Sequence, residues 1–128
     1  MADFPTKKYG VIYADPPWQF KLRSDKGKDK SPERHYPVLS LTDICRLPVN
    51  TITKDNAVLL MWVCDPMLDQ AFKVIDAWGF KFKTVGFTWA KTNRKKLGFF
   101  TGLGYWTRGN PEMCLLATKG RPKRKAMD

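Results

Sequence analysis

The chain has 128 residues, 43% hydrophobic and 13% aromatic, which suits one domain with a buried core and leaves little for a second. Lys and Arg number 23 against 12 Asp and Glu, a net charge of +11 that excludes an acidic buffer protein and points to a polyanion, nucleic acid ahead of an anionic membrane surface. No apolar run approaches the roughly 18 residues of a membrane span, and the first residues lack the apolar core of a signal peptide, so the expectation is a cytoplasmic protein without membrane contact.

Tyr9-Gly-Val-Ile-Tyr-Ala-Asp15 is a short run of β-formers and reads as a buried strand, ended by Pro16 and Pro17, which cannot donate to a sheet ladder. Residues 21–35 mix Lys, Arg, Asp and Glu with almost no apolar content and read as an exposed basic loop. Ser40-Leu-Thr-Asp43 starts a short helix over 41–46 in the manner of a capping box, and Pro48 stops it. Ala57 to Val63 is a second apolar strand. Asp65 is placed to cap a helix whose first residue is Pro66; Leu68, Ala71, Phe72, Ile75 and Trp78 recur at helical spacing, and Gly79 follows as the C-terminal stop. Phe80 to Lys91 alternates as a third strand, 92–111 reads as a long loop, and Met113 to Thr118 is a fourth strand. A basic tail with five positive charges follows at 119–128, without an apolar anchor. The order is that of an α/β protein, and continuous apolar strands imply a largely parallel sheet covered on both faces.

Cys45, Cys64 and Cys114 are odd in number and widely spaced, which argues against a disulfide framework or a zinc site; no metal is expected. Cys64 and Cys114 read as small core residues, as do Trp62 and Trp78 among their apolar neighbours.

Ligands of open α/β sheets bind beyond the carboxyl ends of the strands. Asp15-Pro16-Pro17-Trp18 occupies such a position. Two prolines hold the turn rigid, and a carboxylate, a fixed carbonyl and an exposed indole suit a planar heterocycle with an amino group. Asp15 and the Pro16 carbonyl would accept its two N–H bonds while Trp18 stacks on the ring. The alternative is an ordinary strand-to-loop turn with a half-buried Trp.

Around this motif Tyr9 to Trp18, Tyr36-Pro-Val-Leu-Ser-Leu41, Leu60-Met-Trp-Val63, Phe87-Thr-Trp-Ala-Lys-Thr-Asn93, Gly104-Tyr-Trp-Thr-Arg-Gly-Asn-Pro-Glu112 and Leu115-Leu-Ala-Thr-Lys-Gly120 follow in order. The series resembles the adenine-N6 methyltransferase family with the Asp-Pro-Pro-Trp signature, which includes the catalytic subunit of the eukaryotic messenger-RNA methylation complex and bacterial and phage members. The resemblance implies a Rossmann-like fold, S-adenosylmethionine as cofactor, and methyl transfer to the N6 amine of adenine in nucleic acid, with DNA favoured over RNA. It assigns catalysis to Asp15, Pro16, Pro17 and Trp18, with Pro17 and Trp18 sandwiching the base, and cofactor contact to Asp15 and Pro16. Tyr36 would lie near the substrate pocket. Trp89, Lys91 and Asn93 would line the target channel, the alternative being a core Trp beside a solvated Lys. Tyr105, Trp106, Arg108, Asn110 and Glu112 would lie close to the active centre, the alternative being local loop packing.

The resemblance also implies a permuted segment order and a cofactor-binding part, C-terminal in relatives, that residues 1–128 do not contain. The chain is then a single, incomplete methyltransferase domain, with a sheet edge awaiting strands and a homodimer mate or second methyltransferase subunit as partner. A non-catalytic nucleic-acid-binding subunit is the competing function, and a basic α/β interaction domain a third.

Overall fold

The structure, a computed structural model, describes residues 3–19, 38–102, 106–107 and 109–125. Among the described residues four strands, β1 (Tyr9–Ala14), β2 (Thr53–Val63), β3 (Lys81–Trp89) and β4 (Glu112–Lys119), and two helices, α1 (Leu41–Arg46) and α2 (Leu68–Ala77), form a mixed α/β fold. The sheet order is β1-β2-β4-β3.

The expected parallel sheet is corrected. Only β1 and β2 pair in parallel, with Ile12 opposite Leu59 and Ala14 opposite Met61. β4 lies antiparallel to both neighbours, with Met61 opposite Leu115 and Trp89 opposite Glu112. The described residues between β3 and β4 contain no crossover helix, and a parallel pair would need one. Because β4 is antiparallel on both sides, β3 runs in the same direction as β1 and β2. The carboxyl ends of all three therefore lie at one end of the sheet.

Among the described residues the sheet is also covered on one face rather than both. Ile12, Leu59, Met61, Val63, Leu115 and Ala117 pack against Ile44 of α1 and Ala71, Val74 and Ile75 of α2. Burying a side chain of this size stabilises by about 1.5–3 kcal/mol. Alternation sends Val11, Tyr13, Leu60, Trp62, Leu116, Phe87 and Trp89 to the opposite face, where no helix lies among the described residues. Val11, Tyr13, Phe87 and Trp89 are correspondingly exposed. Register shifts between Phe82 and Thr84 and between Val85 and Phe87 mark two bulges in β3.

Helix α1 has the predicted span, and Ser40 caps it by accepting a hydrogen bond from the Asp43 amide at 3.1 Å. The start of α2 differs from expectation. Asp65–Met67 form a 3-10 turn without a side-chain cap, closed by the Met67 amide on the Cys64 carbonyl at 3.0 Å. Pro66 is tolerated there because a first-turn N–H has no partner to lose. At the other end Gly79 takes φ +84, its amide donates to Asp76 O, and the Phe80 amide donates to Ile75 O, each at 3.0 Å. This is a Schellman stop. Trp78 is buried and donates its ring N–H to Ile44 O at 3.0 Å, tying α2 to α1.

The described residues within 92–111 are more ordered than a plain loop. Antiparallel bridges join Thr92 to Phe99 and Gly102 to Gly109. The start of the basic tail is likewise held, with Gly120 at φ +64 and the Arg121 amide donating to Asn56 Oδ1 at 2.9 Å. No helix among the described residues is long and apolar enough to cross a membrane.

Candidate active site

β1 ends at Ala14, and the two prolines that follow close a tight turn. The Trp18 amide donates to Pro16 O at 2.8 Å, placing Pro17 at the centre of a three-residue turn that a proline φ suits. The Leu39 amide then donates to Pro17 O at 3.0 Å, and Trp18 bridges Leu39 in parallel. The turn is thereby fixed from both sides.

Trp18 is corrected from the sequence reading. It is 5% exposed, not an exposed stacking ring, and its indole N–H donates to Trp62 O at 2.9 Å. An apolar indole next to the core gains more from burial than from solvent once its one donor is satisfied. Pro16 is buried and Pro17 half-buried. The Pro16 carbonyl already accepts from Trp18 and has a second lone pair to offer.

Asp15 is exposed. Alternation from Ala14, which faces the core, places it on the open face with Tyr13. Partial burial, and after it the charge of Glu112, push its carboxyl above the ordinary 3.8. Glu112 opens β4 opposite Trp89, and Lys91 Nζ lies 3.3 Å from its Oε1. Cys114, two residues along the same strand face, is 1% exposed. Burial pushes its thiol up, with Asp15 adding to the shift. Burial raises the Cys64 thiol to about 11, and the Glu112 and Asp65 charges add to it. Cys64 is half-buried rather than core.

Of the residues singled out from sequence, the structure thus brings Asp15, Trp89, Lys91 and Glu112 to one end of the open face. Asn110 does something different. Its Oδ1 accepts from the Lys91 amide and its Nδ2 donates to Lys91 O, each at 2.8 Å, and Nδ2 also donates to Phe100 O. Asn93 donates through its amide to Gly98 O at 3.1 Å and through Nδ2 to Phe99 O at 3.3 Å. Both amides are spent on the loop itself. Trp106 is 97% exposed at φ +65. Tyr36, Tyr105, Arg108 and the basic stretch 21–35 lie outside the described residues.

The structure adds residues that the sequence reading passed over. Trp62, expected in the core, lies half-buried on the open face and donates its ring N–H to Tyr13 Oη at 2.7 Å. Its ring meets Trp89 edge to face, with centroids 6.4 Å apart at 76°. The signal for Trp62 was its parity within β2, opposite to that of the buried Met61 and Val63. Among the described residues no group of three His, Cys, Asp or Glu is placed to hold a metal.

A carboxylate fixed at a strand end, a second acid beside it, and aromatic rings on the same face can take a flat, amine-bearing ring or a compact cation. Comparison with known proteins agrees with the sequence resemblance. The type II methyltransferase M.MunI of Mycoplasma sp is 34% identical over 91% of this chain and 54% of its own length. The human N(6)-adenosine-methyltransferase catalytic subunit METTL3 is 27% identical over 91% of this chain and 18% of its own. An Arabidopsis thaliana N(6)-adenosine-methyltransferase MT-A70-like protein is 28% identical over 90% and 15%. The chain therefore spans about half of the first relative and a smaller part of the others. The MT-A70 family model matches residues 9–128, and the chain belongs to the MT-A70 family.

Proposed function

We propose that this chain takes part in S-adenosylmethionine-dependent methyl transfer to the N6 amine of adenine in nucleic acid. The observation that carries the reading is the exposed Asp15 carboxylate at the rigid end of β1, next to a proline carbonyl. The names of the relatives support the reaction, and the sequence resemblance is the ground for favouring DNA over RNA.

Asp15 and Pro16 O accept the two N–H bonds of the amine. This aims the nitrogen lone pair, otherwise delocalised into the purine, in one direction. Such alignment of two reactants is worth several kcal/mol of barrier, up to roughly 7–11. The upward pressure on the Asp15 carboxyl makes it a stronger acceptor of the proton that the nitrogen must release. When bound, the cofactor supplies an electrophilic methyl group on a sulfonium cation. The site's charges suit such a cation, since the Asp15 carboxyl stands within reach of the charge of Glu112, which pairs with Lys91. Asp15 and Pro16 are the residues that would contact it.

The Rossmann-like architecture adds further strands beside β1, whose outer edge has no neighbour among the described residues. In this reading residues 1–128 form one part of a methyltransferase domain, completed by further segments or by a second subunit. The basic stretches 21–35, 94–96 and 119–128 contact phosphates. Residues Tyr36, Tyr105, Trp106 and Arg108 stay assigned to substrate on the strength of the resemblance.

Radiolabelled methyl transfer to adenine-containing DNA and RNA tests the proposal. The expected product is N6-methyladenine, reduced at least about a hundredfold by Asp15→Ala. Undiminished product from that variant, or methylation at another atom, sinks it.

A further inference from the structure

Burial of Trp18 leaves Asp15 without the ring that was to stack on the base. Three other rings stand on the same open face: Tyr13 on β1, Trp62 on β2 and Trp89 at the end of β3. Their arrangement is fixed from one side to the other. The Trp62 ring N–H is used on Tyr13 Oη at 2.7 Å, which leaves that indole no further donor. Trp62 in turn supports Trp89 edge to face, at 6.4 Å and 76°. Between them in the sheet lies Cys114, opposite both Trp62 and Phe87. Cys114 lies on the face where no helix is found among the described residues and is still only 1% exposed. Trp89 itself remains 61% exposed, and Glu112 opposite it belongs to the charge pair next to Asp15.

We propose that Trp89 is the stacking surface for an unpaired purine whose amine reaches Asp15, and that Tyr13 and Trp62 are positioning residues holding the Trp89 ring in place. The inference rests on the adenine reading above and names the wall of that site. The stacked ring takes any base, and Asp15 selects one with an exocyclic amine. Base-on-aromatic stacking is worth about 1–3 kcal/mol, roughly 5- to 150-fold in affinity.

The test compares the binding of two labelled single-stranded oligonucleotides to the full chain. One carries a single adenine and the other an abasic site at that position, all remaining bases being thymine. The chain is expected to prefer the adenine oligonucleotide by at least about fivefold. Trp89→Leu abolishes the preference, Trp89→Phe retains most of it, and Tyr13→Phe lowers it severalfold while abasic binding stays the same. No adenine preference in the unsubstituted chain, or full preference in Trp89→Leu, overturns the stacking wall. Unchanged preference in Tyr13→Phe overturns the positioning role. Adenine methylation without adenine preference would uphold the enzyme and reject the wall; preference without methylation would uphold the wall as the adenine site of a chain that does not methylate by itself.

Discussion

The side chain of Asn110 pairs with both backbone groups of Lys91, accepting from its amide and donating to its carbonyl at 2.8 Å each. An amide side chain thus takes the place of a neighbouring strand just beyond β3. It fixes the residue whose ammonium group pairs with Glu112.

Asn110→Ala removes these bonds and the one to Phe100 O. Net worth per exposed hydrogen bond is modest, so a loss of about 1–2 kcal/mol is expected in urea unfolding. Amide hydrogen exchange at Lys91 should quicken much more than at β2. Unchanged exchange at Lys91 would show that the clamp does not hold the loop.

Trp18 behaves as a core residue. Trp18→Phe loses the bond to Trp62 O and part of the indole volume, and an expected destabilisation of about 1–3 kcal/mol follows. A variant with unchanged stability and weakened nucleic-acid binding would return Trp18 to the base.

The ionisation of Asp15 predicts a pH dependence. Its carboxyl is raised from 3.8 by burial and by Glu112, so the folded chain keeps a proton that the unfolded chain has released. Stability therefore falls as pH climbs from the unfolded value through the folded one. Asp15→Asn removes that loss. It should be more stable than the parent at neutral pH and match it in acid below the unfolded value. Glu112→Gln should lower the Asp15 titration midpoint in a carboxyl NMR titration; an upward move would contradict the assigned cause.

Gly120 combines φ +64 with a close approach to Asn56 Oδ1 and Asp55 O that a methyl group could not share. Gly120→Ala is expected to cost about 1–3 kcal/mol in urea unfolding. A shift below about half a kcal/mol would mean that the tail can move away at little cost.

Much of the fold could be read in the sequence, because its local signals are strong. Ser40 three residues before Asp43, and Gly79 after an amphipathic run, each specify a helix end by a hydrogen bond that the structure contains. Three of the strands stand out as apolar runs and β3 as an alternating one. Their direction and neighbours do not, since a run such as Met113 to Thr118 looks the same beside a parallel or an antiparallel partner. The clamp on Lys91 is hidden for a similar reason: it depends on Asn110, an amide among Gly and Pro with no periodic pattern. At the candidate site the prolines revealed where the backbone stiffens. They could not reveal which way the next indole turns, and so Trp18 was assigned to the ligand and Trp62 to the core.

The place of β4 sets the order in which the molecule can be built. It follows both β2 and β3 in the chain yet separates them, so neither can satisfy that ladder edge until residue 119 has been synthesised. A nascent chain still short of that point holds two sticky borders and one parallel pair. These four strands consequently pair into one sheet only after residue 119 has emerged, and chaperones have a window in which to act on the growing polypeptide.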